Sequence, residues 1–162
     1  FLLFVVCVIF VLVAGAQTER QGGLHVVVRY TQGLVRDLHA LGVANDNMQP
    51  SLSLCLGTCD ITTAEMASAY TAFVEQGIRR APLLVSRIED AQGNVLAEFT
   101  PRTKEVYKAQ TAYDMIDMMR AVIDHGTGRR LRYVYQFEGP IAGKTGTTNS
   151  NSDGWVVLLK TI

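Results

Sequence analysis

The chain has 162 residues, 15 Lys and Arg against 15 Asp and Glu, and 48% hydrophobic residues. That length suits one domain, and a chain near 150 residues buries about 68–70% of its unfolded surface, enough for a core without staples. A formal charge of zero leaves no basic excess to neutralise phosphates and argues against a nucleic-acid partner, and the aliphatic content excludes a mainly disordered chain.

Residues 1–16, Phe1 to Ala16, are apolar apart from Gly15 and carry no charge. As a helix they would rise about 24 Å, short of a hydrocarbon core of about 30 Å. Ala14-Gly15-Ala16 before Gln17 fits the small-x-small cleavage site of a secretory leader. The segment reads as a leader or anchor missing its front, or equally as a stretch with no cellular role. Residues 17–30 have no clear assignment. From Thr31 to Leu41 the residues Leu34, Val35, Leu38 and Leu41 share a helical face, Gly42 is a natural stop, and Ala44 to Pro50 is a polar loop.

Thr62 and Glu65 have capping-box spacing, and the helix they open carries Met66, Ala69, Tyr70, Phe73 and Val74 on one face before Gly77. Pro82 to Asp90, the turn Ala91-Gln92-Gly93-Asn94, and Val95 to Phe99 form a hairpin. Ala112, Tyr113, Ile116, Met119, Val122 and Ile123 mark a longer helix, stopped by Gly126 and Gly128; its methionines and Tyr113 read as core or edge residues. Pro140 to Gly146 and Trp155 to Leu159 read as strands joined by the polar loop Thr148 to Gly154. Helices and antiparallel strands alternate without a βαβ rhythm, so the class is α+β, with helices packed on an antiparallel sheet. The cysteines, Cys7, Cys55 and Cys59, are odd in number and complete no disulfide framework or metal set; Cys55 and Cys59 read as small buried thiols. His25, His39 and His125 stand far apart in sequence.

The stretch Gly139-Pro140-Ile141-Ala142-Gly143-Lys144-Thr145-Gly146-Thr147-Thr148 carries the chemistry. A phosphate-binding loop needs a glycine five residues before its Gly-Lys-Thr, and that position is Glu138. Pro140 removes a needed N–H donor, and the residues after Thr145 are poor helix formers. The competing reading is a Lys-Thr-Gly strand of the serine penicillin-recognising enzymes. On a strand Lys144 and Gly146 point one way, Thr145 and Thr147 the other. Gly146 lets a substrate backbone lie close, and lysine with threonine hydroxyls makes a carboxylate site.

The surrounding residues strengthen the second reading. Leu52-Ser53-Leu54-Cys55-Leu56-Gly57-Thr58, the helix from Asp60 to Tyr70, Gly126-Thr127-Gly128, Ala142 to Asn149, and Asp153 with Trp155 occur in one order. Together they resemble the transpeptidase domain of class A penicillin-binding proteins, the bifunctional peptidoglycan synthases. Residues 31–49 match loosely. The resemblance implies a partial penicillin-binding, β-lactamase-like transpeptidase fold. Residues 1–30 carry no match, so the organisation reads as 1–16, a leader or anchor-like segment by composition, 17–49 of uncertain and weakly matching assignment, and 50–162 as the C-terminal half of a transpeptidase domain. It further implies serine acyl transfer that cross-links stem peptides ending in D-Ala-D-Ala, recognition of β-lactams, no cofactor, and a place at the cell membrane facing the periplasm or outside. Lys144, Thr145, Gly146 and Thr147 would bind substrate, with the Thr147 backbone N–H as one oxyanion-hole donor.

The nucleophile is missing from the sequence. The lysines are Lys104, Lys108, Lys144 and Lys160, and three residues before them stand Pro101, Glu105, Ile141 and Val157, so there is no Ser-x-x-Lys. No Ser-x-Asn occurs either, and Gly22-Gly23-Leu24 stand where that motif would fall. The resemblance places a glycosyltransferase domain upstream and the last strands and closing helix after Ile162. The expectation is a chain inactive alone. The alternatives are a non-catalytic remnant that binds a peptide or a partner, and the phosphate-loop nucleotide binder.

Overall fold

A computed structural model of the chain describes residues 23–44, 48–51, 53–54, 57, 59–147 and 154–160. The elements are α1 (Gly23–Ala40), α2 (Thr63–Val74), β1 (Ile78–Arg80), β2 (Arg87–Glu89), β3 (Val95–Glu98), β4 (Thr103–Glu105), α3 (Ala109–Asp124), α4 (Arg130–Tyr133), β5 (Ile141–Thr147) and β6 (Gly154–Lys160). The expected leader, 1–16, lies outside the described residues, as do Cys7, Cys55 and the loop residues 45–47 and 148–153.

The helix expected from Thr31 begins at Gly23, so the valine run that defied assignment is helical backbone. Its end is a Schellman closure: Gly42 N–H donates to the His39 carbonyl and Val43 N–H to that of Leu38, both at 3.0 Å. Leu34, Leu38 and Leu41 are buried with Val43, Met48 and Leu54 against Ala69 and Ala72 of α2. The other side of α2 presents Tyr70 and Phe73 to Met115 and Met119 of α3 and Ala142 of β5. Helix α2 is thus shared by two apolar clusters, and Tyr107 touches both, its ring stacked on Phe73 at 6.1 Å. Burial pushes the Tyr107 and Tyr70 phenols up from their ordinary value.

Helix α2 starts with the capping box expected of Thr62 and Glu65. Glu65 N–H donates to the Thr62 hydroxyl at 3.2 Å, and Thr62 N–H donates to the Glu65 carboxylate at 2.9 Å. The carboxylate also accepts from Ala44 N–H at 2.9 Å, which ties α1's exit to α2 and holds the Glu65 carboxyl below its usual range. Replacing a capping threonine by alanine costs about 1 kcal/mol. Thr62→Ala should lower the urea midpoint of the full chain accordingly, with Thr63→Ala, one residue along, as the control.

The hairpin is present but shorter and differently embedded than expected. Its first strand begins at Arg87, not Pro82, because proline offers no ladder donor and residues 82–86 are exposed without strand pairing. Beneath it β1 and β4, unforeseen in the sequence, pair antiparallel as the base of the same long ribbon. Ala81 N–H to the Arg102 carbonyl and Phe99 N–H to that of Ser86, both 2.8 Å, connect base and tip. The Asp90 carboxylate gathers Gln92 N–H, Asn94 N–H and the Asn94 amide at 2.8–2.9 Å to shape the expected turn. The open edge of β1 is held to α2, where the Ser68 hydroxyl donates to the Arg80 carbonyl at 2.6 Å and the Thr71 hydroxyl accepts from Arg80 N–H at 2.8 Å.

On α3 the buried stripe is Ala112, Met115, Met119 and Ile123. Tyr113, expected on that face, is 66% exposed, and Val74 of α2 is 42% exposed. Met115 and Met119, read as core or edge residues with Tyr113, are the ones buried. Cys59 is half-buried rather than buried and packs beside the first cluster.

Candidate functional site

Strands β5 and β6 pair antiparallel without a bulge from Ile141↔Lys160 to Thr147↔Gly154. The first strand is shifted one residue along from the expected Pro140 to Gly146, because Pro140 cannot donate, and the second extends one residue past each expected end, to Gly154 and Lys160. Regular pairing fixes the alternation: Ala142, Lys144 and Gly146 share one face with their partners Leu159, Val157 and Trp155. Ala142 is fully buried against α2 and α3, with Val157 and Leu159 packed on the same cluster. Lys144 therefore stands at the border of an apolar core. It is half-buried, its Nζ donates to the Thr145 carbonyl at 2.5 Å, and desolvation pulls its ammonium below the ordinary lysine value.

Gly146 is buried opposite Trp155, and Thr147 is exposed at the strand's end. Thr145 points to the other face, where its hydroxyl meets that of Thr127 at 2.5 Å. The four expected site residues thus lie together on β5, as separate faces of one strand. Gly143, Lys144 and Thr145 are paired inside β5 and open no helix, which removes the phosphate-loop reading. No group of three or more His, Cys, Asp or Glu positioned to hold a metal occurs among the described residues.

Two further features shape the surroundings of the strand. Gly126 and Gly128 bracket Thr127 at the end of α3; a Cβ on either would lie 2.9 Å from Val122 backbone or 2.7 Å from Ile123 Cδ1. A side chain at Gly126 would press on backbone, whereas one at Gly128 would displace only the tip of the Ile123 side chain, so the close turn against α3 depends chiefly on Gly126. The second is Arg132, whose guanidinium donates to Asp124 at 2.9 Å and to the Phe137 and Gly139 carbonyls at 2.6 and 2.9 Å. It ties the end of α3 to the approach of β5. Partners that are backbone carbonyls leave no pattern in a sequence, whereas the Gly-Thr-Gly triplet was visible as a motif without its contact.

The family model described as the penicillin binding protein transpeptidase domain matches residues 30–155. The chain is 37% identical to penicillin-binding protein 1A of Aquifex aeolicus over 115 residues, covering 71% of this chain and 15% of that protein. It is 39% identical to penicillin-binding protein 1B of Escherichia coli over 116 residues, 71% of this chain and 14% of that one. Its fold is similar to crystalline penicillin-binding protein 1A of Haemophilus influenzae, with TM-score 0.72 and 22% identity over 82% of this chain and 26% of that one. It is also similar to penicillin-binding protein A of M. tuberculosis in an imipenem acyl-enzyme complex, with TM-score 0.68 and 14% identity. The chain spans about one seventh of the curated relatives it matches. With the Lys-Thr-Gly strand in place on an α+β frame, the chain belongs to the penicillin-binding protein transpeptidase family.

Proposed function

We propose that residues 50–162 act as the C-terminal half of a D,D-transpeptidase domain at the outer side of the cytoplasmic membrane. There β5 receives the carboxylate end of a peptidoglycan stem peptide ending in D-Ala-D-Ala, and β-lactams take the same place. The observation that carries this reading is the half-buried Lys144 cation on a strand that also bears Thr145 and Thr147 hydroxyls. The far edge of that strand has no strand partner among the described residues, so an extended peptide can lie along it.

In this reading Lys144 supplies positive potential and the hydroxyls of Thr145 and Thr147 bind the carboxylate. Gly146 leaves room for the substrate backbone, and the Thr147 N–H is one oxyanion donor opposite that of the attacking serine. Serine activation by a lysine one turn later is supplied from outside these residues, since the sequence holds no Ser-x-x-Lys. No helix among the described residues is long and apolar enough to cross a membrane, and residues 1–16 are the proposed anchor or leader.

The test is an NMR titration of the full chain with N-acetyl-D-Ala-D-Ala. Shifts should centre on the amides of residues 144–147 and vanish in Lys144→Ala. Mass spectrometry after incubation with penicillin should show no penicilloyl adduct. Unchanged binding in Lys144→Ala, or an adduct on any serine, would refute this assignment.

A further inference from the structure

The hydroxyl of Thr145 has one proton to give and two lone pairs to receive with. Only 2.5 Å away stands the hydroxyl of Thr127, eighteen residues earlier in the chain and on a different element. Thr127 is exposed and Thr145 half-buried, so the pair sits where the protein meets solvent at the face of β5. The approach is built by the backbone. Gly126 N–H donates to the Ala121 and Val122 carbonyls at 3.0 and 3.1 Å, and Gly128 N–H returns to Val122 at 3.0 Å. Crowding of Gly126 against the Val122 backbone, together with these hydrogen bonds, fixes the turn that carries Thr127. Arg132 ties the same helix end to the entry of β5, so both halves of the pair are held by one frame.

The geometry points to Thr127 as a positioning residue for carboxylate recognition, its hydroxyl donating to Thr145 so that the Thr145 proton is directed at the ligand. The inference rests on the role proposed above for β5. Two hydroxyls in contact share two protons, and only one lies between them. When Thr127 donates inward, the Thr145 proton is left free and its donor strength rises through polarisation of the chain. When an anionic carboxylate arrives, this arrangement is the favoured one, because the opposite arrangement would aim a lone pair at the anion. Thr127 thereby sets the direction of a rotor that a lone threonine would leave to solvent.

The experiment is the same titration with N-acetyl-D-Ala-D-Ala on the full chain, using Thr127→Val, Thr127→Ser, Thr145→Val and the double valine variant. Valine keeps the shape of threonine and removes the hydroxyl. Thr127→Val should weaken the dissociation constant by about three- to tenfold, the loss typical of one hydrogen bond. Thr127→Ser should restore it. In the Thr145→Val background Thr127→Val should add nothing, since its route to the ligand is already cut. Equal weakening by Val and Ser, or additive effects in the double variant, would show a packing role and overturn the inference. Lys144→Ala separates the two levels. If it abolishes binding while Thr127→Val leaves it intact, the positioning role fails alone; if it changes nothing, the β5 reading fails and this one with it.

Discussion

Gly77→Ala should unfold the chain at a markedly lower urea concentration, with a loss of about 3 kcal/mol or more. Gly77 lies between α2 and β1 with φ +98°, a region costing an alanine about 1–2 kcal/mol. Space adds to this cost. A Cβ there would stand 1.9 Å from the Tyr107 carbonyl oxygen, and a backbone atom cannot turn aside as a side chain does. The neighbourhood is tightly bonded. Gly77 N–H donates to Ala72 at 2.7 Å, and its carbonyl accepts from Val106 and Tyr107 at 2.8 and 3.2 Å. Relieving the clash would move Tyr107, whose ring packs on both apolar clusters, so overpacking of about 1–3 kcal/mol joins the backbone strain. Gly93→Ala is the control. Gly93 has φ +86° but open space around its missing Cβ, so it should show the strain alone. Equal losses in the two variants would mean that Tyr107 yields freely.

Legibility in the sequence followed the range of the interaction. The capping box of Thr62 and Glu65, the Asp90 to Asn94 turn and the core stripe of Leu34, Leu38 and Leu41 depend on neighbours within a few residues, and each was readable. Strands β1 and β4 were missed because each is three residues long and mostly exposed. They gain their order from one another and from Ser68 and Thr71 of α2, partners that no local pattern announces. Tyr113, read with the methionines as a core or edge residue, faces solvent because periodicity fixes a stripe only to within a residue, and the packing of α3 beside α2 and β5 buries Met115 and Met119.

The candidate site divides the same way. The strand placement and alternating faces of Lys144 to Thr147 were legible because they are contiguous in sequence, and pairing with β6 bears this out. Neither the half-burial of Lys144 nor the hydroxyl contact of Thr145 could be read there. The first depends on Ala142, Val157 and Leu159 filling the core beside it, the second on a turn at the far end of α3.

Placing residues 60–160 into an intact class A penicillin-binding protein, in exchange for the matching segment, should expose what Lys144 contributes to catalysis. In that setting Lys144→Ala should slow acylation by a β-lactam about a hundredfold or more, since donors and cations at a developing oxyanion are worth about 2.7–4 kcal/mol. The control is Lys160→Ala, a lysine on the same ribbon but paired with Ile141 at its opposite end and exposed. An exposed surface substitution shifts stability within about 0.5 kcal/mol and should leave acylation unchanged. The pH profile gives a second reading of the same cation. Desolvation lowers the Lys144 ammonium from its ordinary value, so its proton leaves earlier as pH rises than that of an exposed lysine. Acylation should then fall on the alkaline side at a pH below the ordinary lysine value of about 10.4, and that limb should disappear in Lys144→Ala. Stopped-flow acylation of the two variants across this range decides the matter: equal rates, or an alkaline limb that survives the loss of Lys144, would show that the half-buried cation of β5 takes no part in the reaction.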